Sequence, residues 1–255
     1  IDEISRFYET EFSNVGRSVH TLAVKATNKF EETRDIVKSY INAKHREEII
    51  FTKGATEAIN LVANTYGEKF IKAGDEIIVT ELEHHSNYVP WHYLREKKGA
   101  VIKFASVNDN GEVDINEFKK QISDKTKMIA FTHISNVTGT IMPVKKIVDL
   151  AKTKNIPVLI DGTQGAPHSI LDVQDLDCDF YAISCHKMYG PNGLGILYAK
   201  KKWVDELPPY QGGGGMISEV KKNEISYADS PTKFEAGTMQ TAEVVAFAKL
   251  SLIHI

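Results

Sequence analysis

Residues 157–191, PVLIDGTQGAPHSILDVQDLDCDFYAISCHKMYGP, decide how the chain folds. An apolar run, Val158-Leu159-Ile160, ends at an acid, Asp161. A second run, Phe180-Tyr181-Ala182-Ile183, ends at Ser184-Cys185-His186-Lys187. Short apolar runs bounded by turn residues read as buried strands. The two runs therefore deliver a carboxylate and an amine to their C-terminal ends, where open α/β sheets bind ligands. Taken singly, Asp161 is explained as well by a helix cap, and Lys187 by a solvated surface charge. The pair carries more, because Gln164 and His186 stand beside the two charges with further hydrogen-bonding capacity. The turn Gly190-Pro191-Asn192-Gly193 then fixes the backbone that carries Ser184, His186 and Lys187.

A carboxylate and a lysine amine brought together there suit pyridoxal phosphate (PLP). The amine forms a Schiff base with the cofactor aldehyde, and the acid keeps the pyridine nitrogen protonated, so that the ring acts as an electron sink. Outward from this stretch the same alternation continues. Strands are expected at 48–52, 76–80, 101–105, 128–133, 158–160, 180–184 and 194–199, and helices at 58–71, 86–97, 115–121 and 144–153. Residues 20–43 read as an amphipathic helix with Ala26, Phe30, Val37 and Ile41 near one face. This is an α/β pattern, a mostly parallel seven-stranded sheet flanked by helices. The last strand follows so short a turn that it can run antiparallel. The run Gly212–Gly215 is expected to be a turn inside the domain and not a boundary.

Four further motifs carry polar chemistry. Gly54-Ala55-Thr56-Glu57 lies at a strand-to-helix junction, where free N–H groups and the helix dipole suit a phosphate; the alternative is a plain cap in which Thr56 caps a helix beginning near Glu57. Glu83-His84-His85-Ser86-Asn87 offers an imidazole that can stack on an aromatic cofactor or move a proton near neutral pH. Paired histidines also suggest metal, but no third ligand stands at a suitable spacing, so none is expected. Asn136, in HISNVTG, reads as a turn residue before Gly139. Phe234-Glu235-Ala236-Gly237-Thr238 follows the glycine run.

VLIDGTQG, together with DCDFYAISCHKMYGPNGLGILY, resembles the active-site core of the group II (SufS-like) cysteine desulfurases, in the class V aminotransferase family of PLP fold type I. The resemblance covers the large PLP-binding domain of that family and implies a role for each motif. Lys187 would carry the cofactor and then take the substrate α-proton, while Asp161 would face the pyridine nitrogen. His84 would stack on the ring and assist proton transfer. Ala55 and Thr56 would meet the phosphate, with Ala55 in place of a usual hydroxyl, and Ser184 and His186 would complete the cofactor's surroundings. Gln164 would lie near the cofactor O3′, and Asn136 beside both O3′ and the substrate carboxylate. Thr238 would reach across a homodimer to the other subunit's phosphate, although Met239 stands where a proline often follows. His20, in the loop 14–20, would lie near the substrate channel. Cys185 departs from the family's glycine and reads as a packing residue.

The resemblance further implies that residues 1–19 are the remnant of an N-terminal segment and 20–255 the large domain. The family's small C-terminal domain, with its sulfur-accepting cysteine and carboxylate-clamping arginine, is expected to be missing. The function implied is conversion of L-cysteine to L-alanine with an enzyme persulfide that feeds iron–sulfur cluster assembly through a sulfur-acceptor protein. Selenocysteine lyase, another class V enzyme, and a truncated chain that binds PLP without turnover are the alternatives. Composition fits this picture: a net charge of −3 suggests no nucleic-acid or acidic-membrane partner, and two cysteines make neither a disulfide framework nor a zinc site. No apolar run approaches the roughly 18 residues that span a bilayer. The cytoplasm or an organelle matrix is the expected compartment.

Overall fold

The apolar runs become strands because helices cover both of their faces. The structure, a computed structural model, describes residues 1–16, 20–108 and 110–254, with side chains to Lys249. Helices α1 (Asp2–Thr10) and α2 (Thr21–Tyr40) precede β1 (Ile49–Thr52) and α3 (Ala55–Phe70). Strict alternation follows: β2 (Glu76–Thr80), α4 (Val89–Lys98), β3 (Val101–Ala105), α5 (Ile115–Gln121), β4 (Thr126–Thr132), α6 (Val144–Lys152) and β5 (Val158–Asp161). Two short helices, α7 (Gly165–His168) and α8 (Val173–Leu176), lead to β6 (Phe180–Ser184) and β7 (Gly195–Ala199). The chain continues through α9 (Lys201–Glu206), the hairpin β8 (Ile217–Lys221) and β9 (Glu224–Tyr227), and α10 (Thr241–His254).

Seven strands form one sheet in the order β3-β2-β4-β5-β6-β7-β1. All run parallel except β7, which is antiparallel to both β6 and β1. Alternation along each strand sends successive side chains to opposite faces. Ile77, Val79, Leu159, Phe180 and Ala182 pack with α3, α4 and α9. Ile78, Ile129, Ile160, Tyr181 and Ile183 pack with α2, α5 and α6. Fully burying a side chain of this size contributes roughly 1.5–3 kcal/mol. These two cores therefore outweigh the intrinsic helix propensity of any flanking segment.

Helix α3 begins at Ala55, three residues before the expected start, and its cap is Gly54 without a side-chain bond. The reading of Thr56 as a plain N-cap is thereby corrected. The early start is possible because Gly195 has no side chain: a Cβ there would lie 2.3 Å from Gly54 Cα. The helix expected at 86–97 is a 3-10 turn, His85–Asn87, followed by α4, with Pro90 in its first turn. The hairpin β8–β9 was not expected. It shows no buried face, with Val220, Ile225 and Tyr227 all half exposed or more, and so has no alternation to read.

A buried ion pair ties α2 and β1 to the segment after the hairpin. Arg34, 1% exposed, forks onto Glu235 at 2.8 and 2.9 Å and donates to the Ile49 carbonyl at 2.7 Å. Glu235 also accepts the Phe51 N–H at 2.8 Å, and the guanidinium lies over the Phe51 ring at 4.7 Å.

Candidate active site

The carboxyl ends of β4, β5 and β6 and the β1–α3 turn enclose a cleft of about 280 Å³. Asp161, 3% exposed, closes β5 and stands in register with Thr132 of β4 and Ala182 of β6. Its Oδ1 accepts the Thr163 N–H at 3.0 Å. Burial pushes this carboxyl above the usual carboxylate range, opposed by the Thr163 bonds and by the nearby His84. Ser184 ends β6 and accepts the Ala55 N–H at 2.9 Å, which joins the first turn of α3 to the strand end that leads to Lys187. His186 and Lys187 stand exposed in the cleft on the short turn Cys185–Met188.

Opposite this edge, His84 caps the turn at 85–87. Its Nδ1 takes the Ser86 N–H at 3.2 Å and lies 2.8 Å from Ser86 Oγ, which fixes the ring at the mouth of the cleft. Asn136, Gln164 and Thr56 complete the wall from three separate loops. The structure thus brings nine of the expected residues around one cavity: Ala55, Thr56, His84, Asn136, Asp161, Gln164, Ser184, His186 and Lys187. It does not bring two others there. Thr238 lines separate clefts with Glu235 and Met239. His20 caps α2, accepting the Ala23 N–H at 3.3 Å. Arg17, Ser18 and Val19 of the loop before it lie outside the described residues.

Thr132, Ile134, Thr163 and Ser86 also line the cleft and were not singled out from sequence. The strand-end rule that found Asp161 points equally to Thr132, its partner in register. Neither thiol faces the cavity. Cys185 is fully buried in the core, where burial pushes its thiol up, and Cys178 is fully buried and pushed up to about 12.

Behind His84 sits a second acid. Glu83 accepts from Thr80 Oγ1 at 2.5 Å, from the Thr132 N–H at 3.0 Å and from Asn87 Nδ2 at 2.6 Å. Desolvation nevertheless pushes it up to about 8, with Asp161 acting in the same direction. The folded chain then holds this proton while the unfolded chain has lost it, so folding stability falls as pH rises from the ordinary 4.5 to about 8. Urea unfolding across that window is expected to show a steeper fall for the parent than for Glu83→Gln. Parallel curves would place the proton elsewhere.

The cleft has the chemistry of a PLP site: a desolvated carboxylate at one wall, N–H and hydroxyl groups at a helix start on another, and a lysine on the turn after β6. Comparison with known proteins agrees with that class. The aminotransferase class-V profile matches residues 1–252, and the chain belongs to this family. It is 46% identical over 246 residues to a cysteine desulfurase of Pectobacterium atrosepticum, covering 96% of this chain and 60% of the relative. It is 47% identical over 249 residues to a probable cysteine desulfurase of Staphylococcus epidermidis, covering 98% of this chain and 60% of the relative. Among solved structures, the apo cysteine desulfurase of Thermococcus onnurineus superposes with a TM-score of 0.94 at 36% identity, covering 99% of this chain and 62% of that one. The chain thus spans about three fifths of the length of these relatives. Among the described residues no helix is long and apolar enough to cross a membrane.

Proposed function

We propose that the chain is the PLP-binding part of a cysteine desulfurase, which converts L-cysteine to L-alanine and passes the sulfur to a thiol as a persulfide. The observation that carries this reading is the convergence of Asp161 and Lys187 on one cleft whose other wall is the start of α3. The likeness to desulfurases over almost all of this chain supports it.

In this reading Thr56, Ser184, His186 and the first N–H groups of α3 hold the phosphate. Asp161 keeps a proton on the pyridine nitrogen, and that positive partner in turn stabilises the ionised carboxylate against its burial. His84 covers the ring face, while Asn136 and Gln164 offer side-chain amides to the ring oxygen and the substrate carboxylate. Bound PLP supplies an electron sink for the carbon that loses its proton. Lys187 anchors the cofactor through Nζ and then takes that proton from L-cysteine. Breaking the Cβ–S bond needs a thiol at the substrate sulfur, which leaves as a persulfide while Cβ takes up a proton. Cys178 and Cys185 are buried away from the cleft, so that thiol comes from outside residues 1–255. The working unit is a homodimer in which Thr238 meets the partner's phosphate. The persulfide sulfur goes to an acceptor protein for iron–sulfur clusters, in the cytoplasm or an organelle matrix.

Loading with PLP, borohydride reduction and peptide mass mapping is expected to place a pyridoxyl adduct on Lys187. An adduct on another lysine would overturn the assignment.

A further inference from the structure

Beneath the cleft, and not among the residues that line it, two rings interlock. His133 follows the last residue of β4. Its neighbours Thr132 and Ile134 line the cleft, while its own side chain meets Tyr181 of β6. His133 Nδ1 and Tyr181 Oη lie 2.7 Å apart, the rings stand edge to face at 5.9 Å and 90°, and the two residues are 8% and 0% exposed. The turn that carries Asp161 and Gln164 is seated directly on this pair. A Cβ on Gly162 would fall 1.8 Å from Tyr181 Cε1, and one on Gly165 would fall 2.4 Å from His133 Nδ1. Only backbone without side chains fits there. The turn is also pinned through the backbone, by His133 N–H to the Asp161 carbonyl at 2.9 Å and Gly162 N–H to the Ala182 carbonyl at 2.9 Å.

We propose that the His133–Tyr181 pair is the positioning element of the site, a floor of two hydrogen-bonded rings that holds Asp161 and Gln164 at fixed places in the cleft. Neither residue reaches the cavity, so both act through the turn above them. Burial lowers the His133 pKa and raises that of Tyr181, which keeps both rings neutral and the bond between them intact through ordinary pH. The benefit to chemistry rests on the PLP reading of Asp161 and Gln164; the seating of the turn does not.

The test is therefore made first on PLP-free protein. Tyr181→Phe keeps the ring under Gly162 and removes only the hydroxyl. Amide hydrogen exchange at Thr163 and Ala166 is expected to quicken about tenfold, the equivalent of one buried hydrogen bond, with little change in β2. His133→Asn keeps a polar atom where Nδ1 stands and is expected to retain most of the protection. In PLP-loaded protein, Tyr181→Phe is expected to weaken cofactor retention several-fold at unchanged Lys187 attachment. Unchanged exchange at residues 161–166, or acceleration spread evenly over β2 and β5, would overturn the proposal. A parent chain that takes up no PLP would overturn the cofactor reading instead, and the exchange comparison would still decide the role of the pair.

Discussion

Replacing Lys187 by Ala is expected to leave the fold intact and to abolish covalent retention of PLP. The side chain stands exposed in the cleft on a short turn, and surface replacements away from packing stay within about 0.5 kcal/mol. The chemical loss is much larger. In the proposed function the same Nζ anchors the cofactor and removes the substrate proton, and general base catalysis alone contributes roughly 10²–10⁴-fold. Two measurements check this. Borohydride treatment should leave no pyridoxyl mass on the variant, and solvent deuterium should enter the α-carbon of L-cysteine at least about a hundredfold more slowly than with the parent. Persistent α-exchange in Lys187→Ala would assign the proton transfer to another group, with His84 and His186 the imidazoles that line the cleft.

The largest effect on stability is expected from Glu235→Ala. Arg34 would keep its charge with almost no access to water, and the Phe51 N–H would lose its acceptor as well. Removing one member of a buried pair in this way costs about 3–5 kcal/mol. Glu31 also bonds Arg34, at 3.0 Å, but its side chain is 37% exposed and cannot replace a desolvated bidentate partner. A double replacement, Arg34→Met with Glu235→Leu, is expected to recover most of the loss, because the burial of charge disappears along with the attraction. Urea unfolding of the parent and these two variants tests the account. Losses below about 1 kcal/mol in the single variant would mean that water reaches the guanidinium.

The cleft was legible in the sequence where chemistry coincides with a strand end. Asp161 and Lys187 stood out because each follows an apolar run, and the structure lines both along one cavity. Thr132 closes a strand just as Asp161 does, yet a threonine after an apolar run is ordinary β-sheet composition and gives no contrast. The His133–Tyr181 pair was invisible for a different reason. One member follows β4 and the other lies on β6, with β5 between those strands, and only the sheet order puts them in contact. Thr56 was placed on the right wall but in the wrong local role, since the start of α3 depends on how closely Gly195 lets the turn approach. The hairpin β8–β9 was missed because both of its faces are exposed, which removes the burial pattern that betrays a strand.

Strand β1 has one neighbour in the sheet, β7, with Ile49 facing Tyr198 and Thr52 facing Gly195. The strand that leads into the first wall of the cleft therefore has no sheet partner until the last strand of the sheet exists. On a ribosome, the turn at 54–56 would leave the exit tunnel long before β7 and wait, unpaired, through the whole of the intervening chain. Contacts of such long sequence separation close late and slowly. The cavity therefore closes only once β7 is in place, and a cofactor that needs both walls can enter only from then on. Once inside, it favours the completed state by mass action, so cofactor supply during synthesis would govern how much of the protein survives to be used.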